Sequence, residues 1–413
     1  MGTLNPVLDR REFLRAAGLL TAGAALRFPL TETSAAGDRV ELPFENGGRD
    51  LVAYPQKRPL IRLTARPPQL ETPFAVFNEG PITSNDAFFV RYHLAGIPTA
   101  IDERTFRLRV GGLVGNPLEL SIADLKAIAE PVELTAVNQC SGNSRGFFDP
   151  RVGGGQLGNG AMGNARWVGV PLRALLEKAG ISAGARQVTF AGLDRPVLET
   201  TPSFAKALDV DHALDGEVMI AYEMNGQDLP MLNGYPARLV VPGYYGTYWV
   251  KHLSEISVID RVFDGYWMKT AYRVPDNDTH SVPPGTIPSS TVPIGKLAVR
   301  SFITSLSVGD RVPAQSRTQV KGIAFDCGGG IARVDFSADG GATWLPASLG
   351  PEVSRHSFRE WTTFADLSTP GEYDLRVRAT NRSGETQPLT PRWNPAGYMR
   401  NVVETVKIRS VQA

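Results

Sequence analysis

Cysteine is nearly missing from this chain: 413 residues carry only Cys140 and Cys327. Two cysteines in segments of different character exclude a disulfide framework, a C-x-x-C-H haem attachment site and a Cys/His cluster for zinc or iron–sulfur. An excess of one charge sign is missing too. The formal net charge is +1, whereas binders of nucleic acid or anionic membrane show a large basic excess or a basic stripe. Any anion site must therefore be local. Long apolar runs are absent as well: no segment holds ~18 uninterrupted apolar residues, so no membrane span is predicted. The five histidines, at positions 93, 212, 252, 280 and 356, show no triad-like arrangement.

What is present fits a globular protein of two or three domains, with 42% apolar and 21% charged residues. Asp9-Arg10-Arg11-Glu12-Phe13-Leu14-Arg15 puts twin arginines ahead of the weakly apolar AAGLLTAGAAL, and Ser34-Ala35-Ala36 offers a cleavage site. Residues 1–36 thus look like a twin-arginine signal peptide, which predicts a periplasmic protein. That export route carries folded proteins, often already loaded with a cofactor. Residues 37–80, rich in Pro, Arg and Gly, read as an extended arm with little regular structure. Over 81–274, short β-rich runs such as VELTAV and RQVTFAGL alternate with helical stretches, an α+β pattern. Ser121 is placed to cap SIADLKAIA, and PLRALLEKAG begins at Pro171 and ends at Gly180. Pro275, Pro283, Pro284, Pro288 and Pro293 make 275–295 a linker. Over 296–413, period-two alternation and the turn Asp339-Gly340-Gly341 predict an all-β, immunoglobulin-like sandwich.

The chemistry centres on NQCSGNSRG, residues 138–146, where Cys140 sits in a polar, glycine-spaced loop after the run ELTAV. A thiolate is both a soft metal ligand and a strong nucleophile, and its neighbours decide which use applies. Arg145 can stabilise the anion, and the small residues between let the backbone approach a large ligand closely. From these residues alone, a half-buried structural cysteine, a nucleophile and a single-thiolate metal ligand all stay open.

Cys140-Ser141-Gly142-Asn143-Ser144-Arg145 resembles the C-[AS]-G-N-x-R motif of the sulfite oxidase family of molybdenum enzymes. Further motifs follow in that family's order: Phe88-Phe89-Val90-Arg91-Tyr92-His93-Leu94, Ala165-Arg166-Trp167-Val168-Gly169-Val170, Tyr222-Glu223-Met224-Asn225-Gly226-Gln227 and Gly234-Tyr235-Pro236-Ala237-Arg238. Asp339-Gly340-Gly341-Ala342-Thr343-Trp344 and Trp393-Asn394-Pro395-Ala396-Gly397 are similar to the family's dimerisation domain, so the likeness spans roughly residues 60 to 410. It implies one molybdenum–molybdopterin per chain, with Cys140 as the protein ligand to the metal, and a sulfite-oxidase-type molybdopterin domain ahead of the β-domain. It implies pterin contacts from Tyr92, His93, Asp194, Asn233, Arg238, Trp249, Val250 and Lys251, where cationic side chains meet the cofactor's phosphate. For the anionic substrate it implies Arg91, Arg145, Tyr272 and Arg359.

Asn233 stands where vertebrate members have histidine, and residues 147–160 depart from the vertebrate pattern, with Leu157 near the place of a pocket tryptophan. No haem domain is attached, so the resemblance implies oxidation of sulfite to sulfate with electrons leaving singly to a separate c-type cytochrome. The assembly would be a homodimer or a heterodimer with that cytochrome, most like bacterial periplasmic sulfite dehydrogenases. Two alternatives remain: the sulfane dehydrogenase subunit of a thiosulfate-oxidising complex, and a non-catalytic scaffold with a degenerate molybdenum site.

Overall fold

A computed structural model describes residues 39–42 and 47–412; the signal-peptide reading of 1–36 lies outside them. The described chain is mostly strand, with few and short helices. The helical signals act where the sequence puts them. Ile122–Lys126 starts at Ser121, whose hydroxyl accepts from the Asp124 N–H while the Asp124 carboxylate accepts from the Ser121 N–H. Leu172–Ala179 buries Leu172, Leu175, Leu176 and Ala179, one face of a 3.6-residue period, and stops at Gly180 in the left-handed region, φ 69°. Removing the first cap in Ser121→Ala is expected to lower stability by about 1 kcal/mol, read as a small fall in melting temperature.

Two sheets organise the first half. One runs in the order Ala205–Asp209, Gln187–Gly192, Leu253–Ile259, Leu108–Gly112, Leu118–Leu120, with one parallel pairing, Leu253–Ile259 on Leu108–Gly112. The other pairs Val132–Gln139 with Met162–Pro171 along its whole length, and continues through Met219–Met224. Their shared core includes Trp167, Leu175, Val188, Ile220 and Ile256, all essentially without solvent exposure.

The arm reading of 37–80 needs correction. Gly48–Val52, Leu60–Ala65 and Pro68–Glu71 form an antiparallel sheet whose last strand pairs with Val90–Arg91, Gln69 opposite Arg91. Leu60, Leu70, Val90 and Tyr92 make its own small core. The prolines at 55, 59 and 67 lie outside the strand interiors, where a missing N–H costs no ladder bond. They punctuate the sheet instead of dissolving it.

In the second half, Arg300–Ile303, Thr318–Phe325, Arg359–Ala365 and Ser348–Leu349 face a sheet ordered Arg311–Pro313, Thr405–Val411, Gly371–Asn381, Ile331–Ser337, Leu345–Pro346. Val320, Val334, Trp361, Leu375 and Val377 fill the space between them. Asp339 to Gly341 lies in a wider loop than a tight hairpin, and there the Asp339 carboxylate accepts from the Thr343 N–H and hydroxyl. The proline-rich 275–295 is also not a free linker: Arg273–Pro275 pairs with Thr291–Pro293, and Ile294 is fully buried. The last strap of this half, residues 393–400, returns to the first. Trp393 Nε1 donates to the Pro150 carbonyl and the Met399 N–H to that of Ser141.

Candidate functional site

Val132–Gln139 ends by delivering Cys140 into the interior. The Cys140 N–H donates to Ala161 O, and the chain then turns: the Asn143 N–H returns to Cys140 O, and Ser144 adopts φ 70°. Residues 157–161 clamp this turn, with the Ser144 N–H on Gly158 O and the Gly146 N–H on Leu157 O. That clamp is held in turn by buried Glu71, which accepts the Gly158 N–H at 2.7 Å and is pushed up to about 8 by burial. Arg300, buried and carried by the second half, donates to Ser144 Oγ at 2.7 Å and pairs with Glu404. The thiol is free and buried, and Cys327 is free and half-buried elsewhere.

One cavity opens beside Cys140. Arg91, Tyr92, His93, Asp194, Asn233, Arg238, Trp249, Val250, Lys251 and Tyr272 all line it. Its electrostatics are lopsided. Burial pushes Lys251 down to about 7 and Arg238 down to about 9. Asp194, raised by its own burial, is the one carboxyl in the lining. The Arg238 guanidinium donates to Asn233 O at 2.8 Å and lies 4.8 Å from the Trp167 ring centroid. Lys251 Nζ sits 4.2 Å over the Tyr92 ring and donates to Arg91 O. The Tyr92 hydroxyl in turn donates a hydrogen bond to His252 Nε2 at 2.7 Å, since His252 Nδ1–H is engaged with Tyr235 O. At the other end His93 Nε2 and the Tyr272 hydroxyl are 2.5 Å apart. Tyr272 holds φ 59°, a conformation that bulky residues adopt only where surrounding structure imposes it.

Sequence reasoning missed several neighbours. Lys57, from the supposed arm, is buried and donates to Asn233 Oδ1 and Phe88 O; burial pushes it down to about 7. Fully buried Lys206 donates to Trp267 O at 2.7 Å and lies 5.3 Å over the Tyr272 ring. Neither carries a local motif. Gly246 did have a signal, the YYGTYW stretch: a Cβ there would stand 2.3 Å from Asn138 Oδ1.

A cavity lined by Arg91, Arg238 and Lys251 against the single carboxyl of Asp194 fits an anionic occupant. Asn138 Oδ1, Ser141 Oγ, Thr247 Oγ1 and Arg238 Nε are buried without a partner, and all four residues line the cavity. Buried polar groups left unpaired cost of the order of 1–3 kcal/mol each, so a polar ligand is implied. Among the described residues, no group of three or more His, Cys, Asp or Glu side chains could hold a metal ion. A metal at Cys140 would therefore arrive with its other ligands, as it does on a dithiolene cofactor. The residues present fit molybdopterin.

Residues 94–267 match the oxidoreductase molybdopterin binding domain, and 291–411 the Mo-co oxidoreductase dimerisation domain. The chain is 34% identical over 375 residues to mitochondrial sulfite oxidase of Mus musculus, covering 86% of this chain and 67% of that one. It is 30% identical over 394 residues to sulfite oxidase of Arabidopsis thaliana, covering 89% of this chain and 98% of the relative. The chain belongs to the sulfite oxidase family. Among solved structures, the sulfane dehydrogenase SoxCD from Paracoccus pantotrophus superposes with a TM-score of 0.72 at 28% identity, over 84% of this chain and 87% of that one.

Two sulfite oxidase family assignments do not fall on the cavity wall. Arg145 folds back against its own loop: Nε donates to Ala396 O at 3.1 Å and Nη1 to Gly155 O at 3.3 Å. Its charge still reaches the Tyr272 hydroxyl, and Gly142 leaves room for it, since a Cβ there would stand 2.8 Å from the guanidinium carbon. Arg359 is a correction. It pairs with Glu352 at 2.9 Å, a carboxylate shared with Arg382, on the second half's own sheet. With that partner at hand it does not line the cavity.

Proposed function

We propose that this protein oxidises sulfite to sulfate in the periplasm and passes the electrons singly to a c-type cytochrome. One observation carries the reading: Cys140 shares a cavity with Arg91, the Tyr272–His93 pair and a surplus of buried cations. Molybdenum bound through one molybdopterin and Cys140 supplies two-electron oxygen-atom transfer. The chain's own groups do the rest. Arg238 and Lys251 neutralise the cofactor's anionic end, and Asp194 faces Lys251. Arg91 and Arg145 attract and orient the oxyanion. Burial raises the Tyr272 hydroxyl, so it keeps its proton and can donate to a developing negative oxygen. His93, driven well below its ordinary value by burial and by Arg91, stays neutral and accepts or returns that proton. The dimerisation-domain match supports a dimer, with itself or with a cytochrome subunit.

A second reading is favoured by the likeness to SoxCD: oxidation of a carrier-bound sulfane group. Both are tested on protein purified after export, by molybdenum content and by cytochrome c reduction with sulfite, thiosulfate and a protein-bound sulfane. The expected result is about one molybdenum per chain and reduction with free sulfite. Molybdenum-free protein overturns the whole reading, and activity with the bound sulfane alone selects the second.

A further inference from the structure

The strap 393–400 belongs to the second half, yet it lies on the Cys140 loop. Asn394 pins it, accepting the Tyr398 N–H and donating to Tyr398 O, and the Met399 N–H bonds Ser141 O. Two left-handed residues, Gly397 at φ 62° and Met399 at φ 59°, turn the backbone there. A Cβ at Gly397 would stand 2.9 Å from Arg145 Cγ, so the strap is seated directly on that side chain. Between them they present one ring. Tyr398 stacks on Tyr272 with centroids 5.3 Å apart and planes 10° from parallel, and the Arg145 guanidinium lies 4.9 Å from the Tyr398 centroid.

We propose that Tyr398 is a positioning residue of the substrate anion site, its ring fixing the distance and angle between the Arg145 guanidinium and the Tyr272 phenol. The inference rests on the sulfite reading. Arg145 donates to two carbonyls, Ala396 and Gly155, and to the Tyr398 hydroxyl, and none of these partners is a carboxylate. A guanidinium held by neutral acceptors alone keeps its charge available to an oxyanion, provided a rigid surface fixes the plane of its fork. The aromatic face does that, and cation–π attraction holds the planar fork on it. The same face supports the strained Tyr272 from behind. Burial raises the Tyr398 hydroxyl, while Arg145, by charge and hydrogen bond, and Arg91 draw it back, so the phenol remains a neutral neighbour of the cationic pair. The second half thereby contributes to specificity in each protomer.

The test uses holoenzyme, measuring sulfite kinetics and, independently of turnover, calorimetric binding of sulfate, the product-shaped anion. In Tyr398→Leu, KM for sulfite and the sulfate dissociation constant are expected to rise about tenfold, with kcat within about threefold. Tyr398→Phe, which keeps the ring, is expected within about threefold of wild type in all three. In an Arg145→Met background, Tyr398→Leu should add nothing, because the two act as one unit. If the leucine variant does not fold, Tyr398→Met, of similar volume, replaces it. Wild-type sulfate affinity in Tyr398→Leu, or a loss confined to kcat, or full additivity with Arg145→Met, overturns the proposal alone. A wild type that neither oxidises sulfite nor binds sulfate overturns the sulfite reading and this one with it.

Discussion

Cys140→Ser is expected to abolish sulfite oxidation, lowering turnover at least ~1000-fold, because a serine hydroxyl is a hard donor that stays protonated where a thiolate would bind a soft metal centre. The loss should be chemical rather than structural. Cys140's backbone bonds, its N–H to Ala161 O and its carbonyl from the Asn143 N–H, do not involve the side chain, and the clamp from 157–161 is untouched. The cationic wall of the cavity is also intact, so the variant should retain pterin while the metal's environment changes. Cytochrome c reduction, molybdenum content and the visible absorption of the metal–thiolate separate these effects. Cys327→Ser is the matched control. That thiol is half-buried in the loop where Asp326 accepts the N–H groups of Gly328, Gly329 and Gly330, and burial pushes it up, away from thiolate. Its activity should stay within about twofold of wild type. Equal activity in Cys140→Ser and wild type would remove Cys140 from the metal.

The turn at Cys140 was legible in the sequence because it is written locally: a short glycine-spaced motif follows an apolar-leaning run that forms the strand Val132–Gln139. The same holds for Ser121 and Gly180, whose capping chemistry acts within four residues. The cavity wall was legible only through resemblance, since Arg91, Asp194 and Lys251 are far apart in sequence and nothing in their spacing brings them together. The rest failed for the same reason in reverse. Lys57 reads as a solvated charge until a sheet made from residues 48–91 carries it onto Asn233. Arg359 sits in a plausible stretch, and only the tertiary position of Glu352 decides where its guanidinium goes. Tyr398 directly follows a motif that read as part of a dimerisation domain, while its ring stacks on Tyr272.

Arg238→Met is expected to empty the cofactor site, with molybdenum falling below about a tenth of wild type, because breaking one charged contact in a desolvated site costs ~2–5 kcal/mol of affinity. The methionine fills the stem between Trp167 and Trp249, so folding should survive. Wild-type molybdenum content would show that the buried cations serve the fold and not the ligand. The cofactor-free protein carries a pH signature that confirms the same electrostatics. Lys251 is pushed down from 10.5 to about 7 by burial and by Arg238 beside it. Between pH 7 and 10.5 the unfolded chain therefore binds more protons than the folded one, and stability rises with pH across that window. Below about 7 both states are protonated and the full penalty, on the order of 5 kcal/mol for this one group, is constant. Raising the pH from 7 to 9 removes about 2 kcal/mol of that penalty, so Lys251 alone should raise the melting temperature of cofactor-free protein by roughly 3 °C. In the holoprotein the bound anion returns Lys251 toward its ordinary value and removes that slope, whereas Lys57 and Lys206, depressed by burial alike, contribute to both forms. The difference between the two melting curves isolates the charge that the cofactor neutralises, and parallel curves would mean that the anion does not meet Lys251.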